Sequence, residues 1–335
     1  MPKVSVVTGY YNRADVLERT IRSILAQTFE DFELLVFDDA STDDTAARLE
    51  QLEEELADPR FRYLVHAQNK GFVAGLRDAI AQTTGEYIAI QGSGDVSLPT
   101  RLEAQARLLD ERPEVGAVGG WYYNVVESTG VGRLRQLDAD DATFEDLLRT
   151  NYYSHGEVMI RRSVHDQVGG YRVAFRNGQD LDLWLRISKV ARLATVPEVV
   201  YHRYVQFDGV SYAPNKLAVQ ARYILLARRI AVSDDIEAQR LLTRLREDGP
   251  LDLVPRETPE LQKMVASAAL RSVIWGASDD ARAIARTQLD PSPRRAVVVT
   301  AAWLLGTPLG APVRAAVRRA LDVKKAPVAP VAVSA

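Results

Sequence analysis

The sequence contains no cysteine among its 335 residues. This absence excludes disulfide bonds, zinc sites built from thiolates and catalytic cysteine nucleophiles. It also suits a reducing compartment, where thiols are not oxidised to disulfides.

An excess of charge of one sign is also lacking, since 42 basic residues face 45 acidic ones and leave a formal net charge of −3. This balance gives no electrostatic reason to expect nucleic acid as a partner. Long hydrophobic runs are missing as well. No basic segment followed by a long apolar stretch opens the chain, and the apolar run at 296–305 is too short to span a bilayer. We expect a cytoplasmic protein, with peripheral contact at the inner face of the membrane left open.

The remaining composition is that of an ordinary globular protein. Apolar residues make up 47% of the chain and charged residues 26%, which is enough for a sizeable core. The length allows one large domain with a smaller unit beside it.

Strand-like and helix-like segments alternate over the first 120 residues. The strand-like runs lie at 4–8, 32–37, 61–65, 87–90 and 115–118. Between them, apolar residues recur with the helical period, as in Val16, Leu17, Ile21 and Ile24. Asn12 is predicted to cap the first helix, and Ser41 or Thr42 the second. The alternation predicts an α/β fold with a Rossmann-like, mostly parallel sheet flanked by helices.

The pattern changes after residue 120. Residues 127–141 are polar and contain glycine, which favours a loop. Further strand-like runs at 157–160 and 195–202 enclose a helical segment at 181–190. From about residue 214 onward only helix signals remain. We therefore predict an α/β domain over 1–225, a helical C-terminal extension over 226–325 and a disordered tail over 326–335.

Polar islands follow two of the predicted strands directly. Residues 37–43 come after the second strand, residues 91–95 come after the fourth, and a third island lies at 178–184. Ligands of open α/β sheets bind beyond the carboxyl ends of the strands. Carboxylates are costly to bury unpaired, but they are suited to meet a sugar, a ribose or a metal there. The islands predict an enzyme acting on a nucleotide sugar.

Seven segments resemble, in order, the family 2 inverting glycosyltransferases. They are residues 4–12, 38–43, 69–71, 85–88, 98–102, 168–171 and 179–186. The likeness covers roughly residues 3–212. It implies the GT-A fold, a nucleotide-diphosphate-sugar donor (with UDP favoured) and transfer with inversion at the anomeric carbon. It also implies a role in making surface polysaccharide.

The resemblance places the donor beside the first two islands. It implies that Asp39 hydrogen-bonds the base of the donor, while Asp38 meets the ribose or shapes the turn. Helix capping is the structural alternative for this pair. Arg203 would lie near the diphosphate, whereas Arg77 is one position away from an arginine that contacts phosphate in many relatives. The other positions assigned to the donor are Thr8, Gly9, Tyr10, Asn12, Asn69, Gly71 and Ser93.

The island at 91–95 occupies the place of the family's metal-binding acids. Relatives commonly carry three acids there, but this chain has Gly92 and Gly94 and keeps only Asp95. One carboxylate, the diphosphate and water suffice in principle for Mn²⁺ or Mg²⁺. His202 is offered as a further metal ligand. The structural alternatives are a Gly-Ser turn with Asp95 paired locally, and a purely structural histidine.

The third island supplies the candidate catalytic base, Asp180. Inverting transfer needs one carboxylate to take the proton of the acceptor hydroxyl. The family carries Glu-Asp at this place, and Gln179 replaces the glutamate here. Alternatively, Asp180 caps the following helix. Asp182 is the lesser candidate for the base, because it is also spaced to pair with Arg186 on one helix face.

The acceptor, a glycan or a lipid-linked glycan, is assigned to residues around the third island. His155 and Gly156 lie where the family meets its acceptor, and Gln179 adjoins the proposed base. Trp184 is assigned either to the core, which we favour, or to the floor of the acceptor site.

The C-terminal segment has no catalytic signature. Residues 296–335 carry five basic residues against one acidic residue, a net charge of +4, beside an apolar run. The segment 296–325 is therefore a candidate for contact with an anionic membrane. A helical bundle with a solvated basic face is the alternative.

Two other functions fit parts of the pattern. The glycines at 92 and 94 and Gln179 are consistent with a non-catalytic relative that binds a nucleotide sugar or a glycan. A nucleotidyltransferase is disfavoured, because the turn at 9–13 lacks the glycines of a phosphate-binding loop.

Overall fold

The computed structural model describes residues 1–205, 214–321 and 325–327. Its strands are β1 (Val4–Tyr10), β2 (Phe32–Asp38), β3 (Phe61–Val65), β4 (Tyr87–Ile90), β5 (Val96–Ser97), β6 (Val115–Val126), β7 (Val131–Arg135), β8 (Met159–Arg161), β9 (Arg192–Val205) and β10 (Lys325–Pro327). Its helices are α1 (Ala14–Leu25), α2 (Thr45–Leu56), α3 (Phe72–Ala81), α4 (Arg101–Glu111), α5 (Phe144–Leu147), α6 (Arg162–Gln167), α7 (Gln179–Ile187), α8 (Pro214–Val232), α9 (Asp235–Glu247), α10 (Pro259–Ile274), α11 (Ser278–Gln288), α12 (Pro293–Leu305) and α13 (Ala311–Leu321). Short 3₁₀ turns lie at His155–Glu157 and Pro308–Gly310.

The N-terminal half of the sheet is parallel. Its strand order is β3-β2-β1-β4, and β1 pairs with β2 from Val4 opposite Phe32 to Tyr10 opposite Asp38. All seven residues of β1 are buried, as expected for a parallel strand covered on both faces. Helix α1 covers the sheet with the apolar positions that the period predicted. This half matches the predicted βαβ pattern.

The second half of the sheet contains antiparallel pairs that the sequence pattern did not indicate. β8 lies antiparallel between β4 and β6, and β5 pairs antiparallel with β9. The long strand β6 runs parallel to β9. β7 forms a hairpin with β6 inside the segment predicted as a loop, because Gly130, at φ 66°, allows a tight turn there. The α/β class with flanking helices is confirmed.

The chain divides after Val205 into two compact units. The first contains the sheet and α1–α7, and the second contains α8–α13. The predicted boundary at residue 225 falls inside α8, which runs without a break to Val232. Within the second unit, α10 packs against α8, α11 and α12 around buried residues such as Leu261 and Ile284. Most of the predicted tail lies outside the described residues.

Candidate active site

The loops after β1 and β2 are joined by hydrogen bonds that involve Asn12. Its backbone is left-handed at φ 52°, its N–H donates to Ser41 Oγ at 2.8 Å, and its Oδ1 accepts from the Thr42 N–H at 2.8 Å. Asn12 therefore does not cap α1. Instead, Asp43 Oδ2 accepts from the Ala14 N–H at the start of α1, at 3.3 Å. The two loops form one preassembled rim at the carboxyl ends of the strands.

The aromatic pair at the end of β1 divides between core and surface. Tyr10 is 1% exposed and belongs to the hydrophobic core, and burial raises the pKa of its phenol to about 12. Its side chain is therefore not available to a donor as the structure stands. Tyr11, which the sequence reasoning missed, is 49% exposed at the same strand end. The alternation of strand residues, with Tyr10 pointing inward, was the available signal.

Thr8 and Gly9 lie deeper in the same strand. Thr8 is buried, and its hydroxyl has no hydrogen-bond partner among the described residues. A Cβ on Gly9 would stand 2.0 Å from the ring of Phe37. Gly9 thus leaves room for Phe37 to pack across β1, which is a structural reason for glycine at this position.

Asp38 and Asp39 are both buried at the end of β2. The carboxylate of Asp38 accepts from the backbone N–H of Ser41 and from its hydroxyl, which closes the turn. Asp39 Oδ1 accepts from the Lys70 N–H at 2.9 Å, and its Oδ2 accepts from the Gly71 N–H at 2.8 Å. Asp39 therefore anchors the loop that leads into α3.

His66 is a further partner of Asp39 that the sequence reasoning did not identify. Its Nδ1 lies 3.0 Å from Asp39 Oδ1, and its ring stacks on Phe37 with centroids 5.6 Å apart. Its Nε2 is buried without a hydrogen-bond partner in the described part of the chain. Since a carboxylate has about four lone-pair positions, three contacts leave one acceptor position on Asp39.

The remaining predicted donor residues near α3 are more exposed. Asn69 Oδ1 accepts from the Gly71 N–H at 3.1 Å, and Gly71, at φ 83°, begins α3. Arg77 lies on the exposed side of α3. Ser93 is half-buried in the turn between β4 and β5.

Asp95 is held by two contacts from β9. Its Oδ2 accepts from the Tyr201 hydroxyl at 2.8 Å, and its Oδ1 accepts from the Tyr204 N–H at 2.8 Å. Burial raises the pKa of Asp95, although these hydrogen bonds and the charges of Arg203 and Arg19 oppose the shift. The turn that carries Asp95 is thereby fixed to the last long strand.

Gly92 allows this arrangement. A Cβ on Gly92 would lie 2.2 Å from Asp95 Oδ2 and 2.9 Å from the Tyr201 hydroxyl, which also accepts from the Gly92 N–H at 2.9 Å. A Cβ on Gly156 would stand 2.4 Å from that hydroxyl. The two glycines and the tyrosine are thus packed together, so a side chain at residue 92 would have to displace the Asp95 carboxylate or the Tyr201 hydroxyl.

Arginines surround the same turn. Arg19 Nε donates to the Gly94 carbonyl at 2.6 Å, and its guanidinium pairs with Glu127. Arg13 Nη2 lies 2.9 Å from the position that a Cβ on Gly94 would take, and the Arg13 backbone N–H donates to Thr45 Oγ1 at 3.1 Å. Arg203 is exposed and near enough to lower the pKa of Asp95. The turn therefore has a local excess of positive charge.

A divalent metal fits this turn only through Asp95. No group of three or more His, Asp or Glu side chains suited to a metal occurs among residues 1–205, 214–321 and 325–327. His202 follows Tyr201 along β9, so its ring points to the face opposite the Tyr201 ring. There its centroid lies 5.8 Å from that of the Tyr123 ring. The structure does not bring His202 to Asp95 as a second ligand. Asp95 retains lone pairs for a cation that is bound mainly by diphosphate and water.

Asp180 stands at the start of α7 and is only half-buried. Its Oδ2 accepts from Asn151 Nδ2 at 2.9 Å, and the helix begins at Gly178 without a side-chain cap. Asn151 was missed by the sequence reasoning, since it lies 29 residues upstream in a loop. Asp182 is buried instead and accepts from Arg172 and Arg186, so the predicted pair of Asp182 with Arg186 is present.

Two of the predicted acceptor residues, His155 and Gln179, are half-buried, whereas Trp184 is fully buried. His155 Nε2 lies 2.8 Å from the Tyr171 hydroxyl, and burial lowers the pKa of His155 although the charge of Asp180 opposes the shift. Phe72, which is 39% exposed, contacts the His155 ring edge-on at 5.8 Å. Trp184 is fully buried and is a core residue, as favoured. Gln179 is half-buried beside Asp180.

Buried polar residues form hydrogen bonds with the turn between β4 and β5 and with the neighbouring segments. Arg101 is fully buried and donates to Gln91 Oε1 and Ser97 Oγ, both at 2.8 Å. Glu157 accepts from the Ser154 N–H at 3.0 Å and from the Gly120 N–H at 2.9 Å. Burial raises the pKa of Glu157 to about 8. Arg101 thus holds the turn after β4, and Glu157 holds the loop before β8 against β6.

Comparisons with known proteins identify the family of the chain. The family model described as glycosyl transferase family 2 matches residues 5–177, which is more than half of the chain. The putative glycosyltransferase EpsE of Bacillus subtilis is 35% identical over 187 residues, covering 55% of this chain and 66% of that relative. The putative teichuronic acid biosynthesis glycosyltransferase TuaG of the same organism is 30% identical, over 56% of this chain and 73% of that relative.

A solved structure shows the same fold. The mannosyltransferase PcManGT from Pyrobaculum calidifontis, in complex with GDP-Man and Mn²⁺, superposes with a TM-score of 0.57 at 21% identity. The match covers 96% of this chain and 88% of that one, and it confirms the predicted GT-A fold. Because the family model matches more than half of its length, the chain belongs to glycosyl transferase family 2.

Proposed function

We propose that the protein is an inverting glycosyltransferase that moves a sugar from a nucleotide-diphosphate sugar to a hydroxyl of a growing glycan. The observation that carries the proposal is the state of Asp180. Asn151 donates to one of its oxygens, and within the described residues no hydrogen bond or ion pair engages the other, so an acceptor hydroxyl can reach it. Family membership supplies the reaction class.

The nucleotide is proposed to bind across the ends of β1, β2 and β3. Tyr11 offers an exposed ring on which a base can stack. The free acceptor position on Asp39 suits the N–H of a uracil ring, which supports a UDP-sugar. Asp38 and Asn12 would act by holding the rim in shape.

The diphosphate is proposed to lie over the turn that carries Asp95. Arg13 and Arg203 are placed to meet its negative charge, since guanidinium groups bind phosphate oxygens in a paired geometry. Asp95 would hold a Mn²⁺ or Mg²⁺ together with the diphosphate. When bound, that ion would offset charge on the leaving group.

The chemistry proposed for the chain's own residues is a single proton transfer. Asp180 accepts the proton of the acceptor hydroxyl as that oxygen forms its bond to the anomeric carbon. The bond from the anomeric carbon to the diphosphate oxygen breaks, and the nucleoside diphosphate leaves with the electron pair. Attack from the face opposite the leaving group inverts the configuration. Asn151 keeps the accepting carboxylate oriented.

The acceptor is proposed to be a lipid-linked glycan in the synthesis of a surface polysaccharide. One relative, 26% identical over 58% of this chain and 72% of its own length, is the Escherichia coli UDP-Glc:alpha-D-GlcNAc-diphosphoundecaprenol beta-1,3-glucosyltransferase WfgD. His155 and Phe72 are placed to contact such a sugar, and a cytoplasmic location goes with this proposal.

The test is turnover of donor by the purified full chain. UDP-, GDP- and dTDP-sugars would be supplied with Mn²⁺, Mg²⁺ or EDTA, with and without lipid-linked saccharides, and released nucleotide and product configuration would be measured. We expect turnover of one UDP-sugar, stimulated by a divalent ion, and an inverted product. A product that retains the donor's configuration would overturn the proposed role of Asp180.

A second candidate is a non-catalytic relative that binds a nucleotide sugar. It is favoured by the loss of two acids at Gly92 and Gly94 and by the engagement of Asp95 with β9. Donor binding in calorimetry, without turnover against a broad panel of acceptors, would support this candidate instead.

A further inference from the structure

Helix α12 exposes apolar side chains where a helix of a water-soluble bundle exposes polar ones. Its buried side is narrow and consists of Val298 and Ala302, four residues apart. Around the rest of the helix, Trp303 is 67% exposed and Leu304 is 52% exposed. Val297, Val299, Ala296 and Thr300 complete that outward surface. Because 3.6 residues make one turn, these positions form one continuous face.

The apolar surface continues beyond the end of α12. Leu309, in the turn after the helix, is 90% exposed, and Val313 on α13 is 50% exposed. The described parts of the chain contain no single helix long and apolar enough to cross a membrane. The bent pair formed by α12 with Pro308–Val317, at 97°, does have the length and composition of a broken span or a re-entrant segment. We call this surface, formed by Val297, Val299, Trp303, Leu304, Leu309 and Val313, the apolar face.

The charged residues of the segment that carries the apolar face are all basic. From Pro293 to Leu321 the sequence contains five arginines, at positions 294, 295, 314, 318 and 319, and neither aspartate nor glutamate. Arg294 is exposed and Arg295 is half-buried at the start of α12. A solvated helix usually mixes both signs, whereas a surface for anionic lipid needs basic groups beside apolar ones.

We propose that the apolar face binds the surface of an anionic bilayer. Trp303, Leu304 and Leu309 enter the boundary between headgroups and acyl chains, and Arg294 and Arg295 meet lipid phosphates. The side chains that enter the lipid need no rearrangement, because they are already exposed. This contact goes beyond the transfer reaction and stands on the second unit alone.

Vesicle flotation of the full chain tests the proposal. Vesicles of phosphatidylcholine alone and of phosphatidylcholine with phosphatidylglycerol would be compared at low and high salt. We expect binding to the anionic vesicles, weakened by salt because surface charges are screened. Absence of binding to anionic vesicles at low salt would overturn the proposal.

Variants of exposed side chains make the test specific. The triple variant Trp303→Ser, Leu304→Ser, Leu309→Ser should lower the partition coefficient on the order of a hundredfold, since three apolar insertions are lost. The double variant Arg294→Glu, Arg295→Glu should lower it on the order of tenfold, for anionic vesicles only.

The matched control replaces exposed apolar side chains elsewhere in the same unit. Ile236, 84% exposed, and Leu251, 56% exposed, lie outside the apolar face. The variant Ile236→Ser, Leu251→Ser should bind vesicles as the unaltered chain does. Equal loss of binding in this control would overturn the assignment to the apolar face.

Sedimentation velocity distinguishes membrane binding from the main alternative, in which the apolar face contacts a second copy of the chain. We expect the same sedimentation behaviour for the triple variant and the unaltered protein without vesicles. If the triple variant instead converted a dimer into a monomer, the face would be a contact between copies and the proposal would fall.

Discussion

The carboxylates at the two ends of the site differ in how fully they are engaged. Asp95 is 8% exposed, with both oxygens bound to β9, and Asp39 is 3% exposed, with three polar contacts. Asp180 is half-buried, and within the described residues its carboxylate has one hydrogen bond, from Asn151. In the sequence the three look alike, as acids in polar islands. The comparison supports our proposal that the engaged carboxylates shape the donor side and that the open one accepts the proton.

The largest expected effect comes from removing the open carboxylate. Asp180→Asn should lower kcat roughly a thousandfold, since general-base catalysis contributes about 10²–10⁴. Donor affinity, measured by calorimetry, should remain. Asp182→Asn is the control: it should weaken the ion pairs with Arg172 and Arg186 and lower stability, yet leave the rate per folded molecule within about threefold. Equal rate losses in both variants would remove the distinction.

The next largest effect concerns the engaged carboxylate at Asp95. Restoring an acid with Gly92→Asp should lower the free energy of unfolding by about 2 kcal/mol, because the new Cβ would stand 2.2 Å from Asp95 Oδ2. Urea unfolding measures this, with Ser93→Asp, which adds the same charge one position along, as the control. A Gly92→Asp protein as stable as the control would show that the turn is less constrained than its packing indicates.

A third test uses Glu157, which is also buried and fully engaged. Its pKa is raised to about 8 from 4.5, so the folded state binds the proton more tightly than the unfolded state. Stability should therefore fall as pH rises from about 5 through about 8. Glu157→Gln should flatten this slope in urea unfolding, whereas Glu145→Gln, at an exposed position, should not. An unchanged slope in Glu157→Gln would assign the pH dependence to other groups.

The smallest effect is expected where the open carboxylate is only reoriented. Asn151→Ala should lower kcat about tenfold and leave the donor KM unchanged, because one orienting hydrogen bond to Asp180 is lost. In the Asp180→Asn background, the same change should have no further effect on the residual rate. Additive losses in the double variant would show that Asn151 acts independently of Asp180.

The sequence predicted the parallel half of the fold because its signals are local. β3 and β4 have the predicted bounds, and the period of α1 identified its buried face. β7 was predicted as a loop because residues 127–141 are polar and contain glycine, although its partners in β6 are close in the sequence. The boundary predicted at residue 225 differs from the observed division after Val205. Helix α8 continues through residue 225, and no proline or glycine interrupts its interior.

The site was predicted less completely, because its hydrogen bonds join residues that are far apart in the sequence. The positions of Asp39, Asp95 and Asp180 at strand and helix ends follow from local patterns. Their partners His66, Tyr201 and Asn151 lie 27, 106 and 29 residues away and carry no local signal. The sequence reasoning also chose the wrong exposed ring of the adjacent pair Tyr10 and Tyr11, because the side-chain alternation along the strand determines which ring points outward.

The Tyr201 hydroxyl has a consequence for how this site changes in evolution. It occupies the space that a side chain at residue 92 or 156 would need. An acid at residue 92 would need the space that Asp95 Oδ2 and the Tyr201 hydroxyl fill, so that change alone should lower stability. We expect substitutions at these positions to occur together in homologues, as a compensated set rather than as independent events.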